Sequence, residues 1–182
     1  LPIVCITNGG GIRSSIQAGK VTVGNLLEVL PFGNTVATVV VKGAGLKAAL
    51  ENGVSQAESG AGRFPQVAGL RFTWNPFGAP NTRVAWVEVA TENVMAAATG
   101  LDYEPLDLTK DYLVVTNNFM LTGGDGYSSF TSAGGGVGQL DTFLIMADVV
   151  QSYIEDTWPF KNLTQTYVPI SQDTEGRILR QQ

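Results

Sequence analysis

Thr7-Asn8-Gly9-Gly10-Gly11-Ile12-Arg13 follows directly on Ile3-Val4-Cys5-Ile6, and the change of residue type between the two stretches decides how the chain is read. The first run has the β-branched content and length of a buried strand. The glycines cannot continue it. Glycine tolerates positive φ and lets another backbone or a ligand approach closely, so Gly9 to Gly11 suit a tight turn whose N–H groups face something polar. Arg13 closes the stretch with a rigid fork of donors that fits a phosphate or carboxylate. Two readings stay open at this point: a ligand loop, or a tight strand-to-helix turn with a surface arginine. The pattern is neither a P-loop, since no Gly-Lys-Ser/Thr follows, nor the dinucleotide fingerprint.

Composition narrows the chemistry. With 182 residues, 44% hydrophobic and 15% charged, the chain has the makings of one globular domain, 1–182, with a sizeable core and a lightly charged surface. A net charge of −5 provides no electrostatic footprint for nucleic acid or an anionic membrane, so an anionic ligand must be held by a few placed groups. Histidine is absent and Cys5 is the single cysteine, which excludes most zinc chemistry, a Ser-His-Asp triad and a Cys-His pair within the chain. Cys5, inside the first strand, reads as a small buried hydrophobe. Asn162-Leu163-Thr164 is a glycosylation sequon, meaningful in a secreted eukaryotic protein. There is no secretory-type signal and no membrane-length apolar run, and no direct membrane contact is expected. Leu1-Pro2 leads straight into a strand, an expectation of the later part of a longer polypeptide.

Further along, Ile12 to Gln17 reads as a short helical turn. Thr22 offers an N-cap for Val23 to Leu30, with Leu26, Leu27 and Leu30 on one face, and Pro31 stops that helix. Pro31-Phe32-Gly33-Asn34 is a turn before a strand from Thr35 to Lys42. Phe32 is there either a core plug or a ring facing a cleft. Leu46 to Glu51 repeats as a helix, and Ser55 to Gly62 reads as a surface loop. Phe64 to Trp74 and Arg83 to Val89 form an antiparallel hairpin around Asn75 to Asn81, with Trp74 and Trp86 as core or sheet-face residues. Asn93 to Leu106 shows no clean period. A strand at Asp111 to Thr116 leads into Asn118-Phe119-Met120-Leu121-Thr122-Gly123-Gly124-Asp125-Gly126-Tyr127, a second glycine-rich loop with an aromatic ring and a carboxylate. Phe143, Met146, Ala147, Val150 and Ile154 mark one face of a helix from about Leu140 to Asp156, ended by Trp158-Pro159, and a last short strand lies around Gly176-Arg177-Ile178. This order of elements predicts an α+β fold with mixed sheet.

The two loops together carry rings, a carboxylate and an arginine, which is what a flat heteroaromatic ligand with a hydroxylated, phosphorylated tail requires. Rings on opposing walls stack a base. At the level of motifs the chain resembles the C-terminal domain of the 5′-nucleotidase and UDP-sugar hydrolase family. The resemblance rests on Asn8-Gly9-Gly10-Gly11-Ile12-Arg13, Leu30-Pro31-Phe32-Gly33-Asn34, Gln66-Val67-Ala68-Gly69-Leu70-Arg71-Phe72, Gly123-Gly124-Asp125-Gly126 and Glu175-Gly176-Arg177-Ile178, in order along nearly the whole chain.

That resemblance implies mixed sheets with flanking helices layered α/β/β/α. It also implies that Phe32 and Phe119 sandwich the nucleobase, that Asn8 bonds its edge, that Arg13 binds phosphate, that Asp125 accepts from the ribose hydroxyls, and that Gly10 and Gly11 line the substrate loop. It places the family's chemistry in an N-terminal metallophosphatase domain with two divalent metals such as Zn or Mn, absent from these residues, as is a further phosphate-binding arginine. The implied partners are a nucleotide or nucleoside and that metal domain, with no nucleic acid. The implied setting is secreted, periplasmic or cell-surface, and the chain alone is expected to bind weakly and be inactive.

Overall fold

The computed structural model describes residues 1–17, 19–91, 102–157 and 177–181. A five-stranded sheet and a four-stranded sheet, both mixed, share one continuous hydrophobic core. The first is built from β1 (Ile3–Asn8), β2 (Thr35–Lys42), β3 (Pro65–Ala68), and two strands from later in the chain, Asp111–Asn117 and Val137–Ile145. The second comprises β4 (Leu70–Trp74), β5 (Val84–Ala90), β6 (Tyr103–Pro105) and the late strand Ile178–Arg180. The late strands are β7, β8 and β9 in chain order. The sheet orders are β3-β1-β7-β2-β8 and β6-β5-β4-β9, with β1–β7 and β4–β9 parallel and the other pairs antiparallel. The helices are α1 (Val23–Val29), α2 (Gly43–Val54), the single turn α3 (Asn118–Leu121) and α4 (Met146–Thr157). The α+β expectation holds.

Alternation in the strands builds the core. Val39 and Val41 of β2, Val4 and Ile6 of β1, and Tyr112 and Val114 of β7 are buried on one face, and Leu70, Phe72, Val87 and Val89 supply the other sheet. The helix α2 packs against β2, β3 and β7 and also against β5, burying Leu46, Ala49, Leu50, Gly53 and Val54 at helical spacing. It begins at Gly43, earlier than the apolar pattern indicates, and the chain passes so close to Asp107 there that a Cβ would lie 2.1 Å from its carbonyl oxygen, so that first position takes only glycine. Buried Glu51 fastens α2 to β5: its carboxylate accepts the backbone N–H groups of Arg83 and Val84, both at 2.9 Å.

The strand Thr35–Lys42 and the cap at Thr22 fall where the sequence puts them. Thr22 accepts from the Asn25 N–H while the Asn25 side chain accepts from the Thr22 N–H, a reciprocal cap. Leu26 is buried but Leu27 is 51% exposed, so the expected apolar face of α1 is narrower than three leucines.

Three expectations are corrected. Residues 12–17 form no helical turn: Ile12 is extended, at φ −102° and ψ 107°, and the Arg13 N–H donates to Val29 O at 2.9 Å, which draws the segment alongside α1. The single strand Phe64 to Trp74 is two, because Gly69 at φ 71° bends the chain out of one sheet and into the other. The helix expected from Leu140 starts at Met146, since Val137 to Ile145 pair with β2 as an edge strand; Phe143 sits there at φ 58°, 81% exposed, off the α4 face. Met146, Ala147, Val150 and Ile154 keep the inward face. Most of the aperiodic stretch after Asn93, the Trp158-Pro159 stop and the Asn162 sequon lie outside the described residues. Cys5 is half-buried, and desolvation pushes its thiol up from 9.0 against a smaller opposing pull from Arg177.

Candidate functional site

Strand directions assemble the site. The parallel pairing of β1 with β7 puts two strand ends, Asn8 and Asn117, side by side, and the antiparallel pairing of β2 with β7 brings the start of β2 to the same edge, with Val36 opposite Asn117. The glycine turn after Asn8, the Phe32 turn before Thr35 and the Phe119 turn after Asn117 therefore meet. The Thr35 N–H donates to Asn118 Oδ1 at 3.2 Å, which ties the Phe32 turn to α3.

Asn8 is 5% exposed and sits between two polar partners. Its Nδ2 donates to Asp125 Oδ2 at 2.7 Å, and its Oδ1 accepts from Asn117 Nδ2 at 3.0 Å. Asp125 has φ 54°, a left-handed conformation that aspartate tolerates better than most residues, between two flanking glycines. Asn52 holds it there by donating to Asp125 O at 3.0 Å, and Gly126 must be glycine at φ 82° because a Cβ would lie 2.7 Å from Asn52 Oδ1. Asn52 in turn accepts from Arg63 Nη1 at 3.2 Å, and the Tyr127 hydroxyl donates to Arg63 O at 2.7 Å. Burial, and next the nearby Asp125 carboxylate, push the Tyr127 phenol well above its ordinary value of 10.0, so it stays a neutral donor.

Both expected rings are exposed, Phe32 at 60% and Phe119 at 43%. Phe119 rests against Gly124, where a Cβ would come within 2.6 Å of three of its ring carbons. The Arg13 guanidinium lies 5.9 Å from the Phe32 ring centroid, and its Nη1 donates to Gly10 O at 3.3 Å. Gly10 and Gly11 act differently from a row of free donors. The Gly9 N–H is spent on Phe64 O at 2.7 Å and the Gly10 N–H on Gly62 O at 2.8 Å. A Cβ on Gly10 would lie 2.8 Å from Gly62 Cα, so close packing of two backbones is what that glycine serves. Gly11 lies beside Asn8 Oδ1, 3.5 Å from where its Cβ would be.

Asn8, Asp125 and Phe119 thus form one cluster, and Arg13 and Phe32 a second beside it. Sequence reasoning missed Asn117, Asn52 and Arg63. For Asn117 a signal existed: an asparagine at the end of a strand, three residues before Met120, is an N-cap pattern. Two hollows adjoin the site. One of about 560 Å³ is bordered by Gly9, Gly10 and Arg13 and by Gly62, Trp74 and Arg180. The other, about 290 Å³ and mainly apolar, lies under Phe32 between α1 and α4 and reaches Thr7 and Asn117. Neither is bordered by Phe119 or Asp125. Among the described residues no group of three or more His, Cys, Asp or Glu side chains is arranged to hold a metal ion, and no helix is long and apolar enough to cross a membrane.

Residues 2–132 match the family model described as 5′-nucleotidase, C-terminal domain. The chain is 44% identical over 133 residues to the trifunctional nucleotide phosphoesterase protein YfkN of Bacillus subtilis (strain 168), covering 73% of this chain and 9% of that protein. It is 38% identical over 128 residues to the snake venom 5′-nucleotidase of Macrovipera lebetinus, covering 68% of this chain and 30% of that protein. In structure it is similar to the 5′-nucleotidase precursor from Thermus thermophilus, with a TM-score of 0.80 and 41% identity over 97% of this chain and 31% of that one. The chain therefore spans less than a third of each of these proteins.

Proposed function

The chain belongs to the 5′-nucleotidase C-terminal domain family, and we propose that it is the substrate-binding and specificity domain of a metal-dependent phosphohydrolase that releases a nucleoside and phosphate from a nucleoside 5′-monophosphate. The observation that carries this reading is the convergence, at one sheet edge, of two exposed rings, an arginine and a buried amide bonded to a carboxylate. Phe32 and Phe119 offer hydrophobic faces for a base, and stacking is worth about 1–3 kcal/mol per base. Asp125 Oδ2 is engaged by Asn8, which leaves Oδ1 to accept from the ribose hydroxyls. Arg13, beside Phe32, supplies the charge for phosphate, and with the Gly9 and Gly10 N–H groups already paired, anion binding rests on the guanidinium.

Two divalent metals, supplied in such enzymes by a separate metallophosphatase domain, would activate water and stabilise the leaving oxygen. The residues of this chain are not suited to hold those metals, since it has no histidine and, among the described residues, no cluster of ligands. Its own contribution is to bind and orient the nucleotide, and motion of this domain against the metal domain would gate turnover. The isolated chain is then inactive, and the parent polypeptide acts outside the cytoplasm.

Stacking tolerates any base, and a relative named as a trifunctional nucleotide phosphoesterase favours a second reading in which the same plan serves UDP-sugars, nucleoside di- and triphosphates or 2′,3′-cyclic nucleotides. Assay of the full polypeptide that carries this chain, with added divalent metal, against AMP, UDP-glucose, ATP and 2′,3′-cyclic AMP decides between them. Highest kcat/KM on AMP is expected. Highest kcat/KM on another class overturns the first reading in favour of the second, and no hydrolysis of any of them would favour a non-catalytic nucleoside- or glycan-binding module.

A further inference from the structure

Asn117 is 1% exposed and belongs to a chain of amides whose two ends are chemically unambiguous. At one end the Met120 backbone N–H donates to Asn117 Oδ1 at 2.8 Å, so Asn117 Nδ2 must be the atom facing β1, where it donates to Thr7 Oγ1 at 3.2 Å and to Asn8 Oδ1 at 3.0 Å. At the other end Asn8 Nδ2 donates to the Asp125 carboxylate at 2.7 Å. A backbone N–H cannot accept and an ionised carboxylate cannot donate. Turning over the Asn117 amide would set N–H against N–H at Met120 and oxygen against oxygen at Asn8. Turning over the Asn8 amide would set N–H against N–H at Asn117 and oxygen against carboxylate at Asp125. The relay therefore has one consistent orientation, with the Asn8 carbonyl drawn inward and its nitrogen turned toward Asp125. The second N–H on that nitrogen has no acceptor among the described residues.

Capping α3 does not explain this arrangement. The cap uses only the oxygen of Asn117, and aspartate, serine or threonine would cap as well. The nitrogen, which only asparagine adds, is spent entirely on Thr7 and Asn8.

We propose that Asn117 is a positioning residue for the nucleotide site: by holding the Asn8 amide, together with Asp125, in one of its two orientations, it makes the site a hydrogen-bond donor to the base edge and selects bases that present an acceptor there. This rests on the nucleotide reading above and adds to it a direction of hydrogen bonding. An acceptor is a ring nitrogen or carbonyl; a base offering only an N–H at that edge would meet donor against donor and leave a buried group unpaired.

The test is a titration of the chain, followed by NMR, with adenosine and with its 1-deaza, 3-deaza and 7-deaza analogues, each lacking one ring acceptor. In the unaltered chain one analogue is expected to bind about fivefold to tenfold more weakly than adenosine, as for one lost hydrogen bond, with the other two close to adenosine. Asn117→Asp keeps an oxygen for the α3 cap but removes the donor to Asn8. Asn117→Ser also caps and is too short to reach Asn8, and serves if the buried aspartate prevents folding. In either variant Asp125 alone still orients the Asn8 amide, so the analogue penalty is expected to shrink, while Phe32→Ala in the same background still weakens adenosine. A purely structural role for Asn117 would change melting without touching the discrimination between analogues. Equal binding of all four nucleosides by the unaltered chain, or a penalty undiminished in the variants, overturns the proposal and leaves the nucleotide reading intact. Failure of the unaltered chain to bind adenosine at all sinks the nucleotide reading, and this proposal with it.

Discussion

Replacing Phe32 by alanine separates a ligand-facing ring from a core ring, because the two predict opposite pairings of stability and affinity. The ring is 60% exposed, so about two-fifths of it is hidden. Full burial of a phenylalanine is worth roughly 1.5–3 kcal/mol, and two-fifths of that is about 0.6–1.2 kcal/mol. Loss of the Arg13 contact over the ring removes about 0.5 kcal/mol more at so exposed a site. Phe32→Ala is therefore expected to destabilise by about 1.1–1.7 kcal/mol, read as a lowered urea midpoint at unchanged slope. Phe72, fully buried in β4, is the reference: its truncation is expected to cost about 3–5 kcal/mol. For affinity the order reverses. Loss of one stacking surface, about 1–3 kcal/mol, weakens adenosine roughly 5-fold to 150-fold. Phe119→Ala is expected to behave as Phe32→Ala does. The reasoning is refuted if Phe32→Ala destabilises as much as Phe72→Ala while adenosine binding is unchanged.

Three further outcomes follow from particular contacts. Glu51→Gln keeps an oxygen for one of the Arg83 and Val84 N–H groups but sets an amide N–H against the other, and should cost about 2–3 kcal/mol by urea unfolding with the fold retained. Phe143→Gly relieves a bulky residue at φ 58°, worth about 1–2 kcal/mol, loses little packing from a ring 81% exposed, and gives back about 0.5–1 kcal/mol in chain entropy; a rise in Tm of about 1–3 °C is expected, and a fall would contradict it. At alkaline pH both groups act in the same direction: Tyr127 and Cys5 have acid groups raised above their ordinary 10.0 and 9.0, so the stability they confer is complete below those values and is lost as pH rises through them, because the unfolded chain loses its protons first. The urea midpoint should begin to fall above about pH 9, and Tyr127→Phe should cost about 1 kcal/mol at neutral pH through the lost bond to Arg63 O yet flatten the decline at higher pH.

What was legible in the sequence was what is local. The strand from Thr35 to Lys42 alternates cleanly, and the Thr22 cap needs only its neighbours three residues on. The misread elements are those that distant partners decide. Phe143 fits the helical repeat of Met146, Ala147, Val150 and Ile154, but pairing with β2, about a hundred residues earlier in the chain, holds Val137 to Ile145 extended. Gly69 looks like a glycine inside a strand, and it is a bend only because β3 and β4 have different sheets to join. In the candidate site the residues proposed to face the ligand came from motifs, whereas Asn117, Asn52 and Arg63 came only from the fold. Asn117 meets Asn8 across 109 positions, and Asn52 meets Asp125 across 73, so no window of sequence contains either pair.

The same distinction changes what the glycines of the opening loop do. In sequence three adjacent glycines read as a cradle of free N–H groups, and a chain of net charge −5 has few other means of holding an anion. In the fold, Gly9 and Gly10 donate to the backbone of the 62–64 segment, and Gly10 approaches Gly62 so closely that it leaves no room for a side chain at position 10. That contact sets the spacing between the end of β1, which carries Asn8, and the segment whose Arg63 supports Asn52 and, through it, Asp125. The glycines thus hold the carboxylate and the amide at bonding distance, and under the proposed function they leave the anion to Arg13. A loop that first looks like a ligand-binding element is, on this geometry, mostly the spacer that sets Asn8 against Asp125.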